Sequence, residues 1–138
     1  MNKRDLKLSK YGISGKRYKE LCGFCEQYPD WKQEINHMAT LSSVEISDMP
    51  RNPNKGVSDT TQQLALKHSY ALRNVSLIEE VAKKASPEFW MFIIKSVCYE
   101  VPLTYLQEVE GMNYSQSSFY DIRRYFFFLL DKAKYEIS

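Results

Sequence analysis

The stretch VPLTYLQEVEGMNYSQSSFYDIRRYFFFLL, residues 101–130, decides how this chain is read. Pro102 opens a short helical segment, Leu103 to Glu110, and Gly111 stops it. Ser115 then stands at a helix N-cap, and Tyr114 and Phe119 have the spacing of a hydrophobic staple. From there Phe119, Ile122, Phe126, Leu129, Leu130 and Ala133 recur at three- and four-residue steps, which predicts one inward face. Two helices joined by a glycine turn have the layout of a helix-turn-helix. In that unit the first helix crosses the DNA backbone and the second offers its N-terminal residues to the major groove.

The same periodicity assigns the other face. Leu103, Leu106 and Val109 are expected to pack inward. Gln116, Ser117, Tyr120, Asp121 and Arg124 are expected outward, with Arg123 at the border. Glutamine can read adenine, arginine can read guanine, and serine or tyrosine can hold phosphates. The amides at the helix start also favour a phosphate. Asp121, Glu108 and Glu110 oppose this, because they repel phosphates. The plainer alternative is two packed helices of a bundle. Phe127 and Phe128 point away from the inward stripe and, with Tyr125, offer a surface for a homodimer. The competing expectation is that they pack on the FWMFII helix of the same chain.

Outward from this tail the spacing stays helical. Ser14 can cap a first helix carrying Tyr18, Leu21, Cys22 and Cys25, and Tyr28-Pro29 is expected to end it. Asp30 is expected to cap a second helix through Trp31, Ile35, Met38 and Leu41. Residues 42–57, with Pro50, Asn52, Pro53, Asn54 and Gly56, read as a loop or linker. A long helix capped by Ser58 or Asp59 runs to about Ala85. Ser86-Pro87-Glu88 reads as a new start, leading into EFWMFIIKSVCYE, which is apolar nearly all round and expected to be buried. The reading is an all-α bundle of about six helices. It comprises a basic arm (1–13), a helical hairpin (14–41), the loop, and a core (58–138) that ends in the helix-turn-helix at 101–138.

Composition agrees with a single soluble domain: 138 residues, 43% hydrophobic and 26% charged. No run of 18 apolar residues occurs, so no membrane helix is expected. The basic N-terminus has no apolar segment behind it, so it does not read as a secretory signal. Three cysteines fit a reducing cytoplasm better than a disulfide scaffold. Charge is unevenly placed. Residues 1–19 carry seven Lys or Arg against Asp5, so the remainder of a +2 chain sums to −4. A basic arm on a mildly acidic body suits nucleic acid, and Lys16, Arg17 and Lys19 are its candidate phosphate contacts.

Cys22 and Cys25 form a C-x-x-C in mid-helix with no strands around it, unlike a thioredoxin-type redox site. A zinc site needs two further ligands, and Cys98, His37 and His68 have no paired spacing. The cysteines are therefore read as core residues, with no metal and no cofactor. Phosphate loops, nucleophile elbows and zinc-protease motifs are missing, so a non-enzyme is expected.

KRYKELCGFCEQYPDWK, LIEEVAKKASPEFWMFIIKSV and VPLTYLQEVEGMNYSQSSFYDIRRYFFFLLDK together resemble the RinA/ArpU-like phage regulators, whose helix-turn-helix is of the sigma-factor region-four type. The resemblance implies a DNA-binding transcription regulator of a phage or prophage, with double-stranded DNA and host RNA polymerase as partners. One departure is clear: the candidate reading helix starts with Gln116, Ser117 and Ser118, where such readers are usually richer in arginine. The alternative function is a phage-encoded module that inhibits a host protein, as anti-CRISPR proteins do, on the same scaffold.

Overall fold

The computed structural model describes residues 12–48 and 59–135. Six helices occur among them and no strand: α1 (Gly15–Glu26), α2 (Tyr28–Asp48), α3 (Asp59–Ala85), α4 (Trp90–Cys98), α5 (Leu103–Glu108) and α6 (Gln116–Tyr135). The all-α class is as the periodicity predicts. The arm up to Tyr11, the loop at 49–57 and the Ser58 cap lie outside the described residues.

Two helix starts match the expected caps. Ser14 Oγ accepts the Arg17 amide at 3.2 Å, and Ser115 Oγ accepts the Ser118 amide at 3.2 Å. Three boundaries differ. The chain hardly pauses at Tyr28-Pro29: α2 begins at Tyr28, directly after the α1 cap residue Gln27. Pro29 sits in the first turn, where a missing N–H breaks no helical bond. Asp30 is thus a first-turn acid facing the positive helix end, not the cap. Next, α2 continues to Asp48, so residues 42–48 are helix instead of loop. No glycine or proline interrupts them before Pro50. Finally, Ser86 Oγ accepts the Phe89 amide at 3.0 Å, but Pro87 to Phe89 form a turn and α4 starts only at Trp90.

The chain divides into two compact units, Tyr28–Ser76 and the remainder, Met1–Gln27 with Leu77–Ser138. The division runs between α1 and α2, through the segment read from sequence as one hairpin, and again within α3 between Ser76 and Leu77, through the segment read as one core. In the central unit Trp31 and Tyr70 meet edge to face at 6.0 Å, and Lys67 pairs with Glu34 at 3.4 Å.

The terminal unit holds the larger core. α1 packs on α4 and α6. Leu21, Phe24 and Cys25 of α1 are buried, as are Ile93, Ile94, Val97 and Cys98 of α4 and Leu106 of α5. Phe119, Phe126, Phe127 and Leu130 of α6 complete this core, each worth about 1.5–3 kcal/mol of hydrophobic stabilisation. Ile13, just before α1, is buried as well. Of the two expectations for Phe127, burial within the chain holds and an exposed dimer ring does not: it is 1% exposed and meets Tyr18 of α1 at 5.0 Å and Phe126 at 5.3 Å. The inward face of α6 is wider than one stripe because α1 lies on it too. Phe128 is half-buried, stacked beside Tyr125 at 6.3 Å. α4 is less enclosed than its composition suggests, since Met91 and the following Tyr99 are exposed. Val109, expected inward, is exposed because α5 ends at Glu108 and leaves it in the turn.

Candidate nucleic-acid interface

α5 is short but firmly tied. Pro102 holds the extended N-cap conformation that starts it, and Leu106 anchors it in the core. Gly111 adopts φ +72°, a left-handed turn that glycine takes without strain. That reversal lets the Met112 amide donate to the Leu106 carbonyl at 2.9 Å. Gln107 Nε2 donates to the Tyr114 carbonyl at 2.9 Å, and Lys95 of α4 pairs with Glu110. Tyr114 lies against Phe89, ring centres 4.6 Å apart, so that aromatic contact secures the turn ahead of α6.

The α6 start is open to solvent. Gln116 and Ser117 are exposed and Tyr120 is half-buried, close to the outward placement expected of all three. An α-helix leaves its first amides without partners inside the helix, so this end favours anions.

The arginines differ from expectation. Arg124, expected outward, is only 8% exposed and pairs with Asp121 one turn back. Its stem covers apolar surface while its head reaches a carboxylate at the rim, a common compromise for a long cationic side chain. Arg124 is therefore already occupied, and Asp121 is partly neutralised. Arg123 is half-buried and turns toward α4, where Nη1 donates to Ser96 Oγ at 3.4 Å; its guanidinium lies 6.0 Å from the Phe127 ring.

The arm residues also separate. Lys16 and Lys19 are exposed. Arg17 is held within the fold: Nε meets Asp131 at 2.5 Å and the guanidinium stacks over Tyr135 at 3.7 Å. Arg17 thus joins α1 to the C-terminal end of α6, while Gln116 opens its other end. Fifteen helical steps lead from Gln116 to Asp131, a distance of about 22 Å. The candidate base-edge residues and the candidate phosphate residues occupy opposite ends of one helix.

The cysteines form a contact the spacing did not reveal. Cys25 is fully buried and its nearest thiol partner is Cys98 of α4, not Cys22. The hydrogen bond with Cys98, together with burial, holds the Cys25 thiol well above its ordinary pKa. Burial also raises Cys22, and Tyr18, to which it is hydrogen-bonded, sits higher for the same reason. Thiols held protonated are poor nucleophiles and poor ligands. All three cysteines are free, and among the described residues no group of three His, Cys, Asp or Glu could hold a metal ion. Among the same residues no helix is long and apolar enough to cross a membrane. Compared with protein-family models, curated proteins and solved structures, the chain matches none.

Proposed function

We propose that the terminal unit binds duplex DNA through the α6 start, as a phage or prophage transcription regulator of the RinA/ArpU-like kind. One observation carries the reading: α6 follows a short, anchored helix and a glycine turn, with its capped first turn solvent-exposed at Gln116 and Ser117. In this reading Gln116 contacts a base edge, Ser117 and Tyr120 contact phosphates, and α5 lies across the backbone. Lys16 and Lys19 reach phosphates at the other end of the footprint. Arg124 and Arg17 serve the fold instead. With few free cations near the helix start, sequence discrimination is modest and the salt slope is shallow, about one for each lysine that meets a phosphate.

The test is selection of bound fragments from random duplex DNA, followed by titration at several salt concentrations. Gln116→Ala should cost about 1–3 kcal/mol at one base pair and relax preference there. Lys19→Ala should weaken all sequences alike and lower the salt slope by about one. Failure to retain any duplex even at low salt refutes the proposal.

A second reading has its own support. Tyr105 is 49% exposed and Val109 64% exposed. Four residues apart around the end of α5, they offer an apolar anchor pair to a host protein. Tyr105→Ala should abolish capture of such a protein and leave DNA retention intact.

A further inference from the structure

We propose that a pocket between α1, the α4–α5 connection and α6 binds a small zwitterion of the α-amino acid class. The carboxylate sits on Arg123, and the ammonium group sits on Glu26 and Glu100. The pocket has a volume of about 260 Å³ and is lined by Cys22, Glu26, Ser96, Glu100, Tyr120 and Arg123, among others. At roughly 30 Å³ per water it holds about nine waters, the space of a molecule of about ten non-hydrogen atoms. That is below the usual range for drug-sized ligands, about 300–1,000 Å³.

The charges are arranged for a ligand with two opposite ends. Arg123 is half-buried; it donates to Ser96 Oγ at 3.4 Å and is hydrogen-bonded to Tyr18, and of the five N–H groups a guanidinium carries the others remain for a ligand. Guanidinium suits a carboxylate because two parallel N–H groups match two oxygens. Glu26 ends α1, Glu100 follows α4, and neither is paired with a cation among the described residues. Two carboxylates opposite one guanidinium leave an excess of negative charge, which an ammonium group offsets.

The backbone supplies a separate indication. Glu100 has φ 55°, the left-handed conformation that follows many helices and that glycine usually occupies. A β-carbon at such a position is strained, and residues kept in sparse conformations cluster at ligand sites. Here the strained position carries a carboxylate on the pocket wall.

Cys22 provides the readout. It is the half-buried thiol of the three and lines the pocket, while Cys25 and Cys98 are buried. Its raised pKa slows alkylation without blocking it, so iodoacetamide is used in excess, over the time in which the ligand-free native chain is fully alkylated at this one thiol, and intact mass then reports occupancy. The common L-amino acids are presented one at a time, and the best protector is compared with its methyl ester and its N-acetyl derivative. By mass action, ligand at ten times Kd slows alkylation about tenfold. The expected result is protection by at least one free amino acid and none by either capped form. Glu100→Gln should remove the protection. If that variant does not fold, Glu26→Gln, on the exposed end of α1, makes the same test. Protection by no amino acid, or equal protection by the ester or the N-acetyl form, overturns the proposal. The assay contains no DNA, so its outcome is independent of the function proposed above.

Discussion

Replacing Phe127 with alanine should be among the most damaging single changes in the terminal unit. The ring is 1% exposed and meets Tyr18 and Phe126 in edge-to-face contacts at 5.0 Å and 5.3 Å. Burial of such a ring is lost together with the cavity it leaves, about 3–5 kcal/mol for Phe→Ala in a core. The two aromatic contacts account for about 0.5–1.5 kcal/mol each beyond area, part of which is already inside that range. Whole-domain stability is about 5–15 kcal/mol, so the loss is a large fraction of it. Phe128 is the internal control. It is half-buried, stacks on Tyr125 and lies under Lys132 Nζ at 4.8 Å, so its alanine variant should lose about 1 kcal/mol. Urea unfolding followed by circular dichroism, with equal slopes for the three proteins, gives both differences. A Phe127→Ala loss below about 1 kcal/mol, or a larger loss for Phe128→Ala, would refute the packing of α1 on α6. A native dimer that dissociates on Phe127→Ala without loss of stability would return the ring to an interface.

Arg17→Ala should destabilise by about 1 kcal/mol, discounted because Arg17 is partly exposed, whereas Lys16→Ala should leave unfolding unchanged; a double-mutant cycle with Asp131→Ala checks the pairing. Arg124→Ala should cost about 1–2 kcal/mol through lost stem packing, without altering any preferred DNA site, because Asp121 is solvent-exposed and is not stranded. Stability should fall as pH rises past the ordinary thiol value of 9.0. There the unfolded thiol of Cys25 ionises while the buried one, its pKa raised, stays protonated, so the unfolded state binds fewer protons. Cys25→Ala should flatten that alkaline slope, measured as the unfolding midpoint against pH, and Glu26→Ala should not.

What the sequence made legible, and what it hid, follows from the range of each signal. Caps are local, so Ser14 and Ser115 could be recognised from spacing and both accept the expected third-residue amide. Breakers are local as well, but they are conditional. Pro29 reads as a stop from its neighbours, and only the register of α2 makes it a tolerated first-turn residue. The burial of α6 is not local. A stripe at three- and four-residue steps marks the face toward one partner, and it placed Phe119 and Phe126 correctly. It could not mark a second partner, α1, arriving from more than a hundred residues away to cover Phe127. The same limit governed the candidate site. Gln116 and Ser117 face solvent because the cap sets the helix phase, and that phase was readable. Arg124 belongs by phase to the wider buried face, and only the carboxylate of Asp121 makes its burial tolerable. Arg17 shows the limit most directly, for a basic residue in a basic arm has the composition of a phosphate contact. Its partners, Asp131 and Tyr135, lie at the far end of the chain, and a cation already held by a carboxylate and an aromatic ring releases little on meeting a phosphate.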